Sequence, residues 1–320
     1  MTGAQRRKSR EAPGGRDAGQ GFARLSAVPG CKPLALRVFL ADCREQHRGV
    51  DSDMTSFSRS ATAWLLAVFC ALPGARAETV LITGSNQGIG LEFAKEYAAK
   101  GWNVIATHRR DLVPEELARL QQMYPNKVRV EHLDVTDATQ IKTLAAKLRG
   151  QPIDVLVNNA ALTRLAPLTD RQGNAGQLFG TLDYDQLDLF IHTNVAGPLR
   201  VTEALIDNVR ASKQKKVIAI SSAAGMLSMP PRAADHYWYR ISKTALNSAM
   251  RLLAAQFKKD GVIVGIFHPG GVQVESLGDL RLPGFVPPSE AVGKMITTID
   301  GLTLKDSGRF MQSDGRDQPW

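Results

Sequence analysis

Tyr239 and Lys243 stand four residues apart, a spacing that brings both side chains to one face of a helix. A phenol with its ordinary pKa near 10 is a poor base at neutral pH, and an ammonium fixed beside it favours the phenolate. The pair is therefore suited to giving and taking a proton. Tyr-x-x-x-Lys alone more often marks an exposed helix face, but Ser222, at the end of a strand-like apolar run, changes that weighting. Ser221, its neighbour on an extended strand, points to the opposite face. Tyr237 is the competing phenol, and it lacks the lysine because Ile241 stands four residues on.

A second chemical feature is Thr83-Gly84-Ser85-Asn86-Gln87-Gly88-Ile89-Gly90, which follows the first apolar run and leads directly into a helix. Glycines at a strand-to-helix turn let the backbone approach a pyrophosphate, and the helix N-terminus supplies free N–H groups and a positive dipole end. The end of the second strand decides which dinucleotide fits. An acidic residue there would bind a ribose 2′-hydroxyl and repel a 2′-phosphate. This chain has Arg109 and Arg110 instead, and arginine holds phosphate in charge-assisted bidentate pairs, so NADP(H) is expected in preference to NAD(H).

These residues need a scaffold, and the hydrophobic pattern supplies one. Strands are expected at residues 79–83, 103–107, 128–133, 155–158, 216–221 and 262–267, most of them rich in Val and Ile at every position. Helical patterns lie between them, at 88–100, 114–123, 138–149, 184–210 and 239–259. The alternation predicts an α/β protein, a single Rossmann-type doubly wound parallel sheet with helices on both faces, over residues 78–320.

With the elements placed, the motifs fall in a familiar order. Thr83-Gly84-x-x-x-Gly88-Ile89-Gly90, Asp134-Val135, Asn158-Asn159-Ala160-Ala161, Asn194 in His192-Thr193-Asn194-Val195, Ser222 followed by Gly225, and Tyr239 with Lys243 together resemble the short-chain dehydrogenase/reductase family over residues 79–320. The resemblance implies that Gly84, Ser85, Gln87, Gly88, Ile89 and Gly90 hold the cofactor with Arg109. It places Asp134 and Val135 on the adenine side and Asn159 and Ala160 beside the cofactor. Pro269, Gly270 and Val272 resemble the segment next to the nicotinamide. In this family Ser222 would bond the substrate oxygen and Tyr239 would donate the proton. Lys243 would bind the nicotinamide ribose, and Asn194 would hold a water that relays protons to it. The chain departs from the family at Ala161, where Gly is usual, and at Val274, where Thr is frequent and Val cannot make its hydrogen bond. The helix from Tyr239 to Asn247 and the ending Asp314-Gly315 to Pro319-Trp320 look like carbonyl reductases related to sniffer and C-factor.

An oxidoreductase acting on an apolar carbonyl compound or alcohol is the expected function. The alternative is an NADP-binding signalling or sensor protein with little turnover, against which the intact Asn194, Ser222, Tyr239 and Lys243 argue. Specificity is expected from residues 275–288, from the 162–183 loop, and from Met226, Leu227, Met229 and Trp238. Ala245, Ala249, Leu252, Leu253 and Phe257 on the Tyr239 helix could pair between subunits, as a homodimer or homotetramer.

Charge and composition exclude several other classes. Of the 40 Lys+Arg and 31 Asp+Glu, residues 1–77 hold 12 and 6, so the remaining chain carries only +3 and does not suggest a nucleic-acid partner. The six histidines lack metal-ligand spacing and read as surface or core, and no metal is expected. Cys31, Cys43 and Cys70 all precede residue 78, which leaves the main body no disulfide framework. Residues 1–53 read as a disordered extension. Residues 54–77 have the layout of a signal peptide, with a short apolar run from Ala61 to Leu72 and an Ala75-Arg76-Ala77 cleavage pattern. That run is too short for a stable membrane span. Cleavage there would export the protein to a periplasm or secretory lumen; without it the expected place is the cytoplasm.

Overall fold

The computed structural model describes residues 76–163, 175–228, 236–277 and 281–320, which lie in one compact unit. The expected extension and most of the signal-like segment fall outside these residues, as do Met229 and parts of the 162–183 and 275–288 segments.

Seven parallel strands form one sheet: β1 (Thr79–Ile82), β2 (Asn103–His108), β3 (Val128–His132), β4 (Val155–Asn158), β5 (Lys216–Ile220), β6 (Ile263–His268) and β7 (Phe310–Gln312). Their order is β3-β2-β1-β4-β5-β6-β7. The order reverses between β1 and β4, and in such sheets the crevice beyond the strand C-termini at that point is where ligands bind. Both sheet faces are covered because alternate strand residues are apolar in both directions. Val80, Ile82, Val104 and Val155 pack with Phe93, Tyr97, Leu117 and Ile296 on one face. Leu81, Ile105, Leu156 and Val217 pack with Ile141, Leu205, Leu246 and Met250 on the other.

The first face is covered by α1 (Gly88–Ala99), α2 (Glu115–Met123) and α7 (Pro288–Gly301). The second is covered by α3 (Ala138–Lys147), α5 (Gly197–Arg210) and α6 (Tyr237–Phe257). The short α4 (Tyr184–Ile191) precedes α5. The single helix expected over 184–210 is broken. A π-helical turn at His192–Ala196 separates α4 from α5, and one extra residue in a turn does not disturb the 3.6-residue pattern enough to be read. The helix expected from residue 239 begins two residues earlier, at Tyr237, and gives way to a 3₁₀ turn at Lys258–Asp260. Two elements lie beyond the expected ones: strand β7 forms a sheet edge next to β6, and helix α7 packs on the first face. Among the described residues, no helix is long and apolar enough to cross a membrane.

Candidate active site

The glycine turn forms where β1 ends. Gly84 adopts φ 67°, a left-handed conformation that favours glycine, and any Cβ on it would lie 2.8 Å from Ala160 Cα. Gly90, at the start of α1, is tighter still. A Cβ there would lie 2.2 Å from the Gly84 carbonyl oxygen and 2.4 Å from Asn159 Nδ2. Asn159 fills that space itself, donating from Nδ2 to Thr83 O at 3.0 Å and to Gly84 O at 2.9 Å. The Thr83 hydroxyl accepts from the amides of Asn159 and Ala160, both at 3.0 Å. The ends of β1 and β4 are therefore tied together at the point where the strand order reverses.

A cleft of about 630 Å³ opens above this junction. Its lining includes Gly84, Gln87, Gly88, Ile89, Gly90 and Arg109 from the ends of β1 and β2 and the start of α1, and Asp134, Val135, Asn159 and Ala160 from beyond β3 and β4. Ser222, Tyr239, Lys243, Pro269, Gly270 and Val272 complete the lining. Two residues of the expected set stand behind the wall instead. Ser85 is fully buried, its hydroxyl donating to Ile82 O at 3.0 Å, so it braces the turn without facing the cleft. Asn194 is buried in the π turn. It donates from Nδ2 to Leu162 O at 2.8 Å and to Ser242 Oγ at 3.0 Å, and it accepts from Leu162 N at 2.7 Å. Both of its N–H donors are spent, so the side chain is a bracket between the β4 loop and α6.

Ser242 extends that bracket by donating from Oγ to Tyr239 O at 2.8 Å. Tyr239 lies edge-on to Phe190, with ring centroids 6.4 Å apart, and the Lys243 ammonium sits 5.8 Å from the centre of the Tyr239 ring. Lys243 is buried and donates to Ile220 O at 2.9 Å. Desolvation pulls its pKa from 10.5 to about 8. Ser222 caps the short turn Ala223–Gly225 by accepting from Ala224 N at 3.1 Å, and its hydroxyl proton stays available to a ligand. Ser221 turns the other way, onto Asn247 Oδ1 at 2.6 Å. Tyr237 packs against Phe179 and away from the cleft wall.

Three residues of the site make contacts that the sequence did not foretell, although Gln177 and Glu275 fall in the loops expected to set specificity and His268 leads the Pro269-Gly270 segment. The first turn of α6 lacks a local cap, since His236 at its N-terminus has φ 54° and makes no capping bond from its side chain. Gln177 replaces that cap across the loop, accepting from Tyr239 N at 3.3 Å, while Trp238 donates to Gly176 O at 3.0 Å. Glu275 accepts from Gly88 N at 3.2 Å and so meets the glycine turn. His268, read from sequence as surface or core, lines the cleft beside Pro269. None of these contacts has a periodicity or spacing that could be read along the chain.

The expected specificity residues separate into two groups. Trp238 is buried against Tyr184, and Met226 and Leu227 also lie off the cleft wall, Leu227 beside a separate depression with Trp320. The apolar rim comes instead from Leu162, Leu277, Leu282 and Phe285 of the two loops. Ala161 is exposed on the wall, where its methyl has room, and Val274 lies beside Gly88.

The cleft fits a pyridine dinucleotide. Its glycine turn brings backbone to a helix N-terminus at close range, and exposed Arg109 and Arg110 on the rim have no ion-pair partner among the described residues. No cluster of potential metal ligands occurs among the described residues.

A Rossmann-type sheet whose switch-point cleft joins a glycine turn to a serine, a tyrosine and a buried lysine defines a dinucleotide-dependent oxidoreductase. The chain belongs to the short chain dehydrogenase family, whose model matches residues 78–282. It is 32% identical over 181 residues to C-signal of Myxococcus xanthus, covering 56% of this chain and 100% of that protein. It is 31% identical over 247 residues to 1-hydroxy-2-glutathionyl-2-methyl-3-butene dehydrogenase of Rhodococcus sp. strain AD45, covering 76% of this chain and 99% of that one. Among solved structures, NADPH-bound carbonyl reductase from chicken fatty liver superposes with a TM-score of 0.67 at 28% identity, covering 77% of this chain and all of that one. The protein is thus an NAD(P)-dependent oxidoreductase of this family. The sensor alternative is not favoured by these likenesses.

Proposed function

We propose that the protein catalyses NADP(H)-dependent interconversion of an apolar carbonyl compound and its alcohol, with Tyr239 as the acid/base. The observation that carries this reading is the presence of Ser222, Tyr239 and Lys243 together in the lining of the cleft that the glycine turn opens. When bound, NADPH supplies the hydride. Gly88, Ile89 and the first turn of α1 would hold its pyrophosphate, and Arg109 its 2′-phosphate. The solved carbonyl reductase with NADPH supports the choice of cofactor.

Within this frame each side chain has one task. Ser222 donates its hydroxyl proton to the substrate oxygen and holds it within reach of Tyr239. Tyr239 gives the proton to that oxygen as negative charge develops on it, and takes it back in the reverse direction. Lys243, held on Ile220 O, keeps a positive charge next to the phenol and stabilises its phenolate. Leu162, Leu277, Leu282 and Phe285 exclude water and select an apolar substrate. Asn194, through Ser242, fixes the turn of α6 that carries Tyr239.

A panel of aldehydes, quinones and ketosteroids, followed by loss of NADPH absorbance, tests the reading. Turnover of at least one apolar carbonyl compound is expected; tight NADPH binding with no turnover of any would contradict it. Two further elements of the reading are separable. We propose pairing of subunits through the exposed side of α6, where Ile241 and Leu252 lie open, which light scattering would show as a dimer or tetramer. We also propose export by cleavage after Ala77; sequencing the mature N-terminus would then begin at Glu78.

A further inference from the structure

His268 is the last residue of β6 and lies on the cleft wall next to Pro269. Two backbone donors converge on its Nδ1. Ala223 N approaches at 3.2 Å and Gly270 N at 3.4 Å. A nitrogen that accepts two N–H groups must carry a lone pair, so the ring proton resides on Nε2. Burial holds the imidazole pKa at about 4, well below 6.5, which keeps Nδ1 unprotonated across the neutral range.

The two donors belong to different functional segments. Ala223 directly follows Ser222 and opens the turn that the Ser222 hydroxyl caps. Gly270, at φ 87°, belongs to the segment beside the nicotinamide in the proposed function. Among the described residues the neighbouring strands contribute no equivalent tie between these segments: β5 and β6 end at Ile220 and His268, and the last ladder contact is Ser221 N to Phe267 O at 2.7 Å.

We infer that His268 is a positioning residue, a two-way acceptor that holds the Ser222 turn against the Pro269–Gly270 segment and so sets the distance between the substrate-binding hydroxyl and the cofactor. The inference rests on the proposed reading for its catalytic consequence, but not for the bond itself. The ring acts through the backbone: its Nδ1 holds Ala223 N, which follows Ser222, and Gly270 N. A displacement of the serine turn by a fraction of an ångström weakens orientation at the reacting carbon and leaves the glycine turn, where most of the cofactor is held, unchanged.

The test compares His268→Leu with His268→Asn, whose Oδ1 stands where Nδ1 does and cannot lose its acceptor by protonation. His268→Leu leaves two amides without a partner and is expected to lower kcat about tenfold while KM for NADPH stays within about threefold. His268→Asn is expected to recover kcat to within about threefold of the wild type. Nitrogen-15 spectra of the cofactor-free protein should show the Nε2–H tautomer, and amide exchange at Ala223 should quicken in His268→Leu but not in His268→Asn. Equal kcat in His268→Leu and wild type, an Asn variant as slow as the Leu variant with both folded, or an Nδ1–H tautomer would each overturn the inference. Absence of turnover in the wild type would remove the proposed function, and the tautomer and exchange readouts would still decide the bond.

Discussion

Replacing Lys243 by Met should stabilise the protein while abolishing turnover, because the lysine is held charged in a place that penalises charge. Its side chain is buried, and it donates to one carbonyl, Ile220 O at 2.9 Å, beside the face of Tyr239. A pKa drawn from 10.5 to about 8 corresponds to about 3 kcal/mol of lost stability wherever the group is charged in both states. Met has a similar unbranched length and no charge. Against the recovered energy stand the lost hydrogen bond and the Ile220 carbonyl left without it, together about 1–2 kcal/mol. The net expectation at pH 7 is a gain of about 1–2 kcal/mol, or roughly 3–6 °C in Tm for a domain of this size.

The pH dependence carries the sharper signature. The folded-state pKa lies below the unfolded one, so between about pH 8 and 10.5 the unfolded chain binds more protons and the stability of the wild type rises with pH. The advantage of Lys243→Met should therefore be full below pH 8, cross zero at about pH 9–9.5, and turn into a deficit of about 1–2 kcal/mol by about pH 10.5, where only the lost hydrogen bond remains. Urea unfolding of both proteins without cofactor, at a series of pH values, measures this directly. A variant less stable than the wild type at pH 7, or an offset that does not change as pH rises, would refute the reasoning.

Three other substitutions probe separate parts of the account. Arg109→Asp replaces a charge-assisted bond with repulsion and should weaken NADPH binding about 100-fold while NADH changes little, as followed by fluorescence titration; equal losses would remove the arginine from the phosphate site. Gly90→Ala puts a methyl 2.2 Å from the Gly84 carbonyl, where backbone cannot yield, and should cost about 1–3 kcal/mol of stability and weaken both dinucleotides in the same titration. Tyr97 is fully buried with a hydroxyl that has no hydrogen-bond partner among the described residues, so Tyr97→Phe should raise stability by about 1 kcal/mol in urea unfolding, with kcat unchanged.

Much of the fold was legible because parallel strands buried on both faces read as continuous Val/Ile runs, and those runs became β1 to β6 with shifts of about a residue at their ends. Helix α7 has an apolar stripe at Val292, Met295, Ile296 and Ile299, readable in hindsight. Strand β7 has three residues, too few for any alternation to be counted. The site divides in the same way. Glycine, serine, tyrosine and lysine were legible because their chemistry depends on local spacing or on position just after a strand. The roles of Gln177, Glu275 and His268 were not, because each is defined by a partner far along the chain: Tyr239, Gly88 and Ala223 respectively. Ser85 and Asn194 were found by motif, yet their hydrogen bonds show them supporting the cleft from behind. Trp238 was misplaced because an apolar aromatic between two site residues looks the same in sequence whether it lines a cleft or anchors a loop.

The most direct test of the central claim, that Tyr239 supplies the proton for hydride transfer to a carbonyl carbon, is a product analysis with NADPH carrying deuterium at nicotinamide C4. The wild type should place deuterium on the carbinol carbon of the alcohol it forms, and Tyr239→Phe should form none while binding NADPH with nearly the wild-type affinity. Labelled alcohol formed by Tyr239→Phe at a rate near that of the wild type would contradict the account.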